Sequence, residues 1–232
     1  MIKAVFFDLY GTLAKFHPAR EDVQTQACQP FGFQVARDGL VRGYAVADEW
    51  MASTNASSTP VHAMSREQRA QFFAEYERLV LQGAGVNVDM ETAGRVWDRV
   101  RQIPYGLVLF EDVIPALGDL KEHGLTLATL TNVPWPIQQM CDELGLSPYL
   151  DFALTSWEVG AGKPHPPIFL EGLKRAGVAP AEALMVGDSY RSDVQGALGV
   201  GIRPLLLDRD GVLPPVDECP KISNLTQVTG HL

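Results

Sequence analysis

The sequence predicts an α/β protein, a parallel sheet flanked by helices with an all-helical insert near its start. Three observations predict it. Apolar runs of strand length occur at Ala4–Phe7, Leu125–Leu130, Phe152–Leu154, Ala183–Val186 and Ile202–Leu207. From residue 105 onward they alternate with helical patterns that stop at glycines, the mark of a sheet wrapped by helices. Between Phe16 and Pro104 that rhythm breaks, and no convincing strand is present.

Taken in order, Ala4–Phe7 is the first strand and delivers Asp8 into a turn containing Gly11. In the insert, Leu40, Tyr44, Ala47 and Trp50 recur at helical spacing. STNASSTP (Ser53 to Pro60) reads as a loop between helices. Ser65 with Gln68 makes a capping box before Phe72, Phe73, Tyr76, Leu79 and Val80, and Gly83 ends that helix. Asp89 caps a last helix through Ala93, Val96, Trp97 and Val100, stopped by Pro104. Beyond the insert, Ile114, Leu117 and Leu120 mark a helix stopped at Gly124, and Ile137, Met140, Cys141 and Leu144 one stopped at Gly145. Ile168, Phe169 and Leu173 mark a third, ending at Gly177, and Val194, Ala197 and Leu198 a fourth. The tail after Gly211 is Pro-rich and then irregular.

The chain has 232 residues, enough for one large domain or two modest ones. Its net charge of -9 argues against nucleic acid or an anionic membrane surface as the main partner, since both demand a positive footprint. Cys28, Cys141 and Cys219 are scattered and form no CxxC pair, which fits a reducing compartment and predicts a cytoplasmic protein. Met1–Phe7 lacks the basic start of a signal peptide and reads as a strand. No apolar stretch reaches the ~18 residues of a membrane span.

In a parallel sheet, ligands bind beyond the carboxyl ends of the strands. Asp8 stands there after the first strand, Thr131 and Asn132 after the second, and Gly187, Asp188 and Ser189 at the start of VGDSYRSD. Lys163, in GAGKPHPPIF, precedes the helix leading into that last strand. A carboxylate such as Asp8 can attack phosphorus or an activated carbon and form a covalent intermediate. Lys163 would hold it ionised, and Thr131 would donate a hydrogen bond to a substrate oxygen. Asp8, Asp188 and Asp193 offer hard oxygen ligands suited to Mg²⁺.

Together these residues resemble the haloacid dehalogenase-like hydrolase superfamily. DLYGT is similar to its first motif, with Asp8 in the nucleophile position and Thr12 fixing the turn. Thr131 in TLTN matches the second motif, Lys163 in GKPHP the third, and GDSYRSD the metal-binding fourth, with Asp188 and Asp193 in its acidic positions. The resemblance runs from Lys3 to about Asp208. It implies a Rossmann-like core of residues 1–15 and 105–232 and a helical cap domain of residues 16–104, closing over the site about hinges near Lys15–Pro18 and Ile103–Gly106. It implies a Mg²⁺ ion held by Asp8, the Tyr10 backbone carbonyl, Asp188 and Asp193. It also implies a small anionic substrate bound by Thr131, Asn132 and cap residues. Trp135, just past the second motif, fits a pocket-lining role and a packing role equally, and the chain reads as a monomer or homodimer.

Tyr10 divides the functional reading. In the superfamily's phosphatases an acid in this position protonates the leaving group, and a phenol with a pKa of about 10 replaces it poorly. DLYGTL resembles instead the L-2-haloacid dehalogenase branch, where halide leaves without a proton. Arg42, in LVRGYAVADEW, matches an arginine that binds substrate in that branch; equally, Asp38 and Arg42 sit at the i,i+4 spacing of a surface ion pair. GDSYRSD points the other way, because Asp188 beside Asp8 calls for a cation. Three readings stay open: a Mg²⁺-dependent hydrolase of a small phosphorylated substrate, favoured by that motif; a metal-independent 2-haloacid dehalogenase; and a non-catalytic ligand-binding or regulatory protein.

Overall fold

The computed structural model describes residues 1–133 and 135–232, leaving out Pro134. Met1–Lys15 and Leu107–Leu232 form one compact unit, and Phe16–Gly106 forms another. The chain begins with β1 (Ala4–Phe7) and β2 (Ala14–His17), then runs through α1 (Arg20–Cys28), α2 (Arg37–Asn55), α3 (Arg66–Gly83) and α4 (Met90–Val100). It continues through β3 (Gly106–Leu109), α5 (Val113–Glu122), β4 (Thr126–Thr131), α6 (Gln138–Glu143), β5 (Phe152–Thr155), α7 (Ser156–Val159) and α8 (Pro166–Ala176). Last come β6 (Ala183–Gly187), a π-helical turn at Tyr190–Gln195, α9 (Gly196–Gly199), β7 (Arg203–Leu207), β8 (Lys221–Ile222) and a 3₁₀ helix at Leu225–His231.

Six strands make one parallel sheet in the order β5-β4-β1-β6-β7-β8. Strand side chains alternate between faces, so β1 feeds two cores. Val5 and Phe7 join Leu117 and Leu120 of α5 on one face, while Ala4 and Phe6 join Ile168 and Phe169 of α8 on the other. Phe6 and Phe7 are fully buried, each contributing ~1.5–3 kcal/mol. Strand order reverses at β1, and in open parallel sheets ligands bind beyond the carboxyl ends of the strands at such a point.

The second unit packs its four helices on its own apolar clusters, one around Val23, Leu81 and Val96 and another around Leu40, Tyr44 and Val80. The Ser65–Gln68 capping box forms, and the Asp89 carboxylate accepts from the Thr92 amide at 2.8 Å. Gly83 ends α3 as the sequence predicts, but its importance lies in packing. A Cβ there would stand 2.3 Å from Gly43 Cα, so α2 and α3 cross backbone against backbone.

Several elements differ from the sequence reading. β2 reaches into the segment read as strand-free and pairs with β3, which follows that segment; the two strands carry the chain into and out of the helical unit. At four residues each they are too short to show a period. Helix α1 was not expected, because its polar sequence REDVQTQAC hides the few apolar positions. Helix α2 runs to Asn55, into the segment read as a loop. The single helix expected around Val194 and Ala197 is a π-helical turn followed by α9. The irregular tail supplies the sixth strand and a closing helix, and its Pro220 and Ile222 carbonyls accept backbone hydrogen bonds from the Leu206 and Asp208 amides.

Candidate active site

Asp8 follows the fully buried β1, and its amide donates to the Val186 carbonyl at 2.9 Å, which sets it beside the end of β6. Gly187 ends β6, and a Cβ on it would lie 2.1 Å from Asp193 Oδ2. Only glycine leaves room for that carboxylate. The π-helical turn carries Asp193 inward, where Oδ2 accepts from the Ser189 amide at 3.1 Å. Asp8, Asp188 and Asp193 thereby offer carboxylate oxygens that all lie within 4.8 Å of one another.

Lys163 enters this cluster as its ammonium group. Its Nζ stands 2.8 Å from Asp8 Oδ1 and 2.5 Å from Asp193 Oδ1, with the lysine side chain 2% exposed. Burial works against the lysine's charge, but Asp193 and Asp8 outweigh it and raise its pKa above the usual range. Burial pushes the Asp193 carboxyl up to about 6, with Lys163 opposing and Asp8 adding to the rise.

The loop that presents Lys163 is held by Asn132. Asn132 Nδ2 donates to the Lys163 carbonyl at 2.8 Å, and Asn132 Oδ1 accepts from the Lys163 amide at 2.6 Å. The side chain expected on substrate therefore clamps the lysine backbone. Gly162 is needed beside it, since a Cβ would meet Asn132 Oδ1 at 2.4 Å. Thr131 is buried at the end of β4.

The turn after Asp8 leans on Asp188. Gly11 has φ +77°, and a Cβ on it would lie 2.1 Å from Asp188 Oδ2. Thr12 is fully buried and its hydroxyl donates to Asp188 Oδ1 at 3.4 Å. Tyr10 pairs with Ala14 in an isolated bridge, and its ring packs against the apolar core that contains Val5 and Phe7.

The structure thus gathers Asp8, Thr12, Asn132, Lys163, Asp188 and Asp193 at one sheet end. Trp135 is 49% exposed. Arg42 is exposed on α2 in the helical unit. Sequence reasoning missed Thr129, whose hydroxyl donates to the Phe7 carbonyl at 3.0 Å and steadies the end of β1. It read as an ordinary strand threonine. The carboxylate set suits a hard divalent cation: it is all oxygen, partly desolvated, and carries three acids against one lysine.

The haloacid dehalogenase-like hydrolase profile matches residues 2–201, so the chain belongs to that family of hydrolases. It is 37% identical over 128 residues to the phosphoserine phosphatase of Thermus thermophilus, a match covering 52% of this chain and 51% of that protein. The chain thus spans about half the length of that relative. It is 27% identical over 212 residues to the ribulose-1,5-bisphosphate 5-phosphatase of Halopiger xanaduensis, covering 90% of this chain and 85% of that one. Among solved structures, a 2-haloacid dehalogenase from Pseudomonas syringae aligns with a TM-score of 0.56 at 27% identity, over 99% of this chain and 97% of the other.

Proposed function

We propose that the protein is a Mg²⁺-dependent phosphohydrolase acting on a small phosphorylated substrate, with Asp8 as nucleophile. The observation that carries this reading is the convergence of Asp8, Asp188 and Asp193 around Lys163. Asp188 is the discriminating residue, because a third carboxylate would weaken Asp8 as a nucleophile unless a cation joins the group. Asp8, Asp188, Asp193 and the Tyr10 carbonyl would hold the ion. Bound there, Mg²⁺ would neutralise charge on the transferring phosphoryl group.

The chain's own residues supply the rest. An Asp8 carboxylate oxygen attacks phosphorus, the bond to the leaving oxygen breaks, and an aspartyl phosphate forms. Lys163 keeps Asp8 ionised and compensates charge on the phosphoryl oxygens. Thr131 donates to one of those oxygens. Water then cleaves the acyl phosphate, releasing phosphate and restoring the carboxylate. The helical unit acts as a cap that excludes water and selects the substrate through residues such as Arg42, with Trp135 contributing beside the second motif. Two relatives named as phosphatases support the substrate class. Three free cysteines support a cytoplasmic setting, and no helix among the described residues is long and apolar enough to cross a membrane.

A second reading, metal-independent 2-haloacid dehalogenation, is favoured by one observation, Tyr10 in place of an acid, and by the likeness to a dehalogenase structure. One experiment separates them. Aryl phosphate turnover that requires Mg²⁺ and disappears in Asp8→Asn is the expected result. Chloride release from a 2-chloroacid that persists in EDTA would overturn it in favour of the second reading, and silence in both assays would favour a non-catalytic protein.

A further inference from the structure

Arg209 lies just after β7, beyond the segment that the family profile matches. Its side chain is 15% exposed and held from three sides. Nη2 donates to the Thr12 carbonyl at 2.8 Å, and Nη1 donates to Asp112 Oδ2 at 3.0 Å. The guanidinium carbon stands 3.9 Å from the centroid of the Phe110 ring. Asp112, immediately before α5, also accepts from the Leu225 amide at 2.7 Å. Burial alone would raise the Asp112 carboxyl, but Arg209 and that amide outweigh it and hold it below the usual range. The C-terminal segment is therefore anchored twice to one carboxylate, and through Arg209 to the turn that follows Asp8.

That turn is the surface on which Asp188 rests. Thr12 gives its hydroxyl to Asp188 and its carbonyl to Arg209. Gly11 leaves no space for a Cβ against the Asp188 carboxylate. A shift of the Thr12 backbone would move both contacts together. We propose that Arg209 is a positioning residue for the carboxylate cluster, fixing the turn after Asp8 and, through Gly11 and Thr12, the orientation of Asp188. Arginine suits this task because one rigid planar fork reaches both the Thr12 carbonyl and the Asp112 carboxylate, while stacking on Phe110; a lysine offers a single flexible point charge.

The assignment rests on the metal reading above, and the test separates the two. Mg²⁺ is titrated calorimetrically into the wild-type chain, Arg209→Met, Arg209→Lys and Asp112→Asn, alongside melting of each in EDTA. Arg209→Met is expected to bind Mg²⁺ about 10- to 100-fold more weakly, the usual effect of removing an outer support. Arg209→Lys and Asp112→Asn should fall between it and the wild type. At saturating Mg²⁺, kcat corrected for the folded fraction measured by circular dichroism should drop while KM for an aryl phosphate stays within about twofold, a loss per folded molecule that lowered stability alone does not produce. Wild-type Mg²⁺ affinity in Arg209→Met would overturn the assignment, whatever its melting temperature. If that variant does not fold, wild-type affinity in both milder variants does the same. A wild-type chain that binds no Mg²⁺ overturns the metal reading itself, and this inference with it.

Discussion

Lys163 and Asp193 form a buried ion pair, Nζ to Oδ1 2.5 Å, with side chains 2% and 1% exposed. Removing one partner of such a pair strands the other in low dielectric, at a cost of about 3–5 kcal/mol. Lys163→Met should therefore melt well below the wild type in EDTA. Mg²⁺ should recover part of that loss, because the same carboxylates would then face a cation. Chemical denaturation with and without Mg²⁺ checks this, and a variant as stable as the wild type in EDTA would show the pair to be energetically idle.

Tyr10→Asp restores a carboxylate two places after the nucleophile. A positioned general acid is worth about 10²–10⁴-fold, so kcat/KM should rise at least about tenfold for an alkyl phosphate. An aryl phosphate, with its better leaving group, should gain much less. The variant should also lose about 1–3 kcal/mol of stability, since the Tyr10 ring packs on the core of the sheet unit. An unchanged ratio of alkyl to aryl turnover would sink the idea that Tyr10 limits the leaving group.

Gly11→Ala combines two penalties. At φ +77° an alanine costs about 1–2 kcal/mol, and its Cβ would have to displace the Asp188 carboxylate. Mg²⁺ affinity should fall at least about tenfold in calorimetry, more than stability alone accounts for. Retained affinity would mean that Asp188 is not a ligand.

Much of this site was legible because the chemistry recurs at strand ends. Asp8, Lys163, Asp188 and Asp193 stood out by type and position, and the folded chain brings them together. Arg209 was equally close to a strand end, that of β7, but a cation in RDG carries no motif. Its partners lie 97 and 197 residues away in sequence, a juxtaposition that no local pattern encodes. The same holds for Asn132, recognisable as a site residue but not as the clamp on Lys163. Helix α1 was invisible for another reason: its burial is set by neighbours in the helical unit and not by its own periodicity.

Glu77 gives the helical unit a pH dependence of its own. Burial pushes its carboxyl up to about 7, against a hydrogen bond from Gln24 Nε2 that favours the charged form. Its Oε2 is buried without a hydrogen-bond partner. The folded state then holds this proton to higher pH than the unfolded chain does, so stability is full below about 4.5 and is lost as pH rises toward about 7. The loss is on the order of 3 kcal/mol. Glu77→Gln should flatten that slope and melt higher than the wild type at pH 8. Parallel melting curves from pH 5 to pH 8 would show that Glu77 does not titrate there.

The paired strands β2 and β3 mean that the helical unit leaves and rejoins the chain at neighbouring points. An insertion whose two ends already meet can be exchanged for another of different length without re-threading the sheet. Asp8, Lys163, Asp188 and Asp193 all belong to the other unit. The carboxylate cluster and the insert are thus separate parts of one chain, and exchanging the insert would leave the cluster's groups in register.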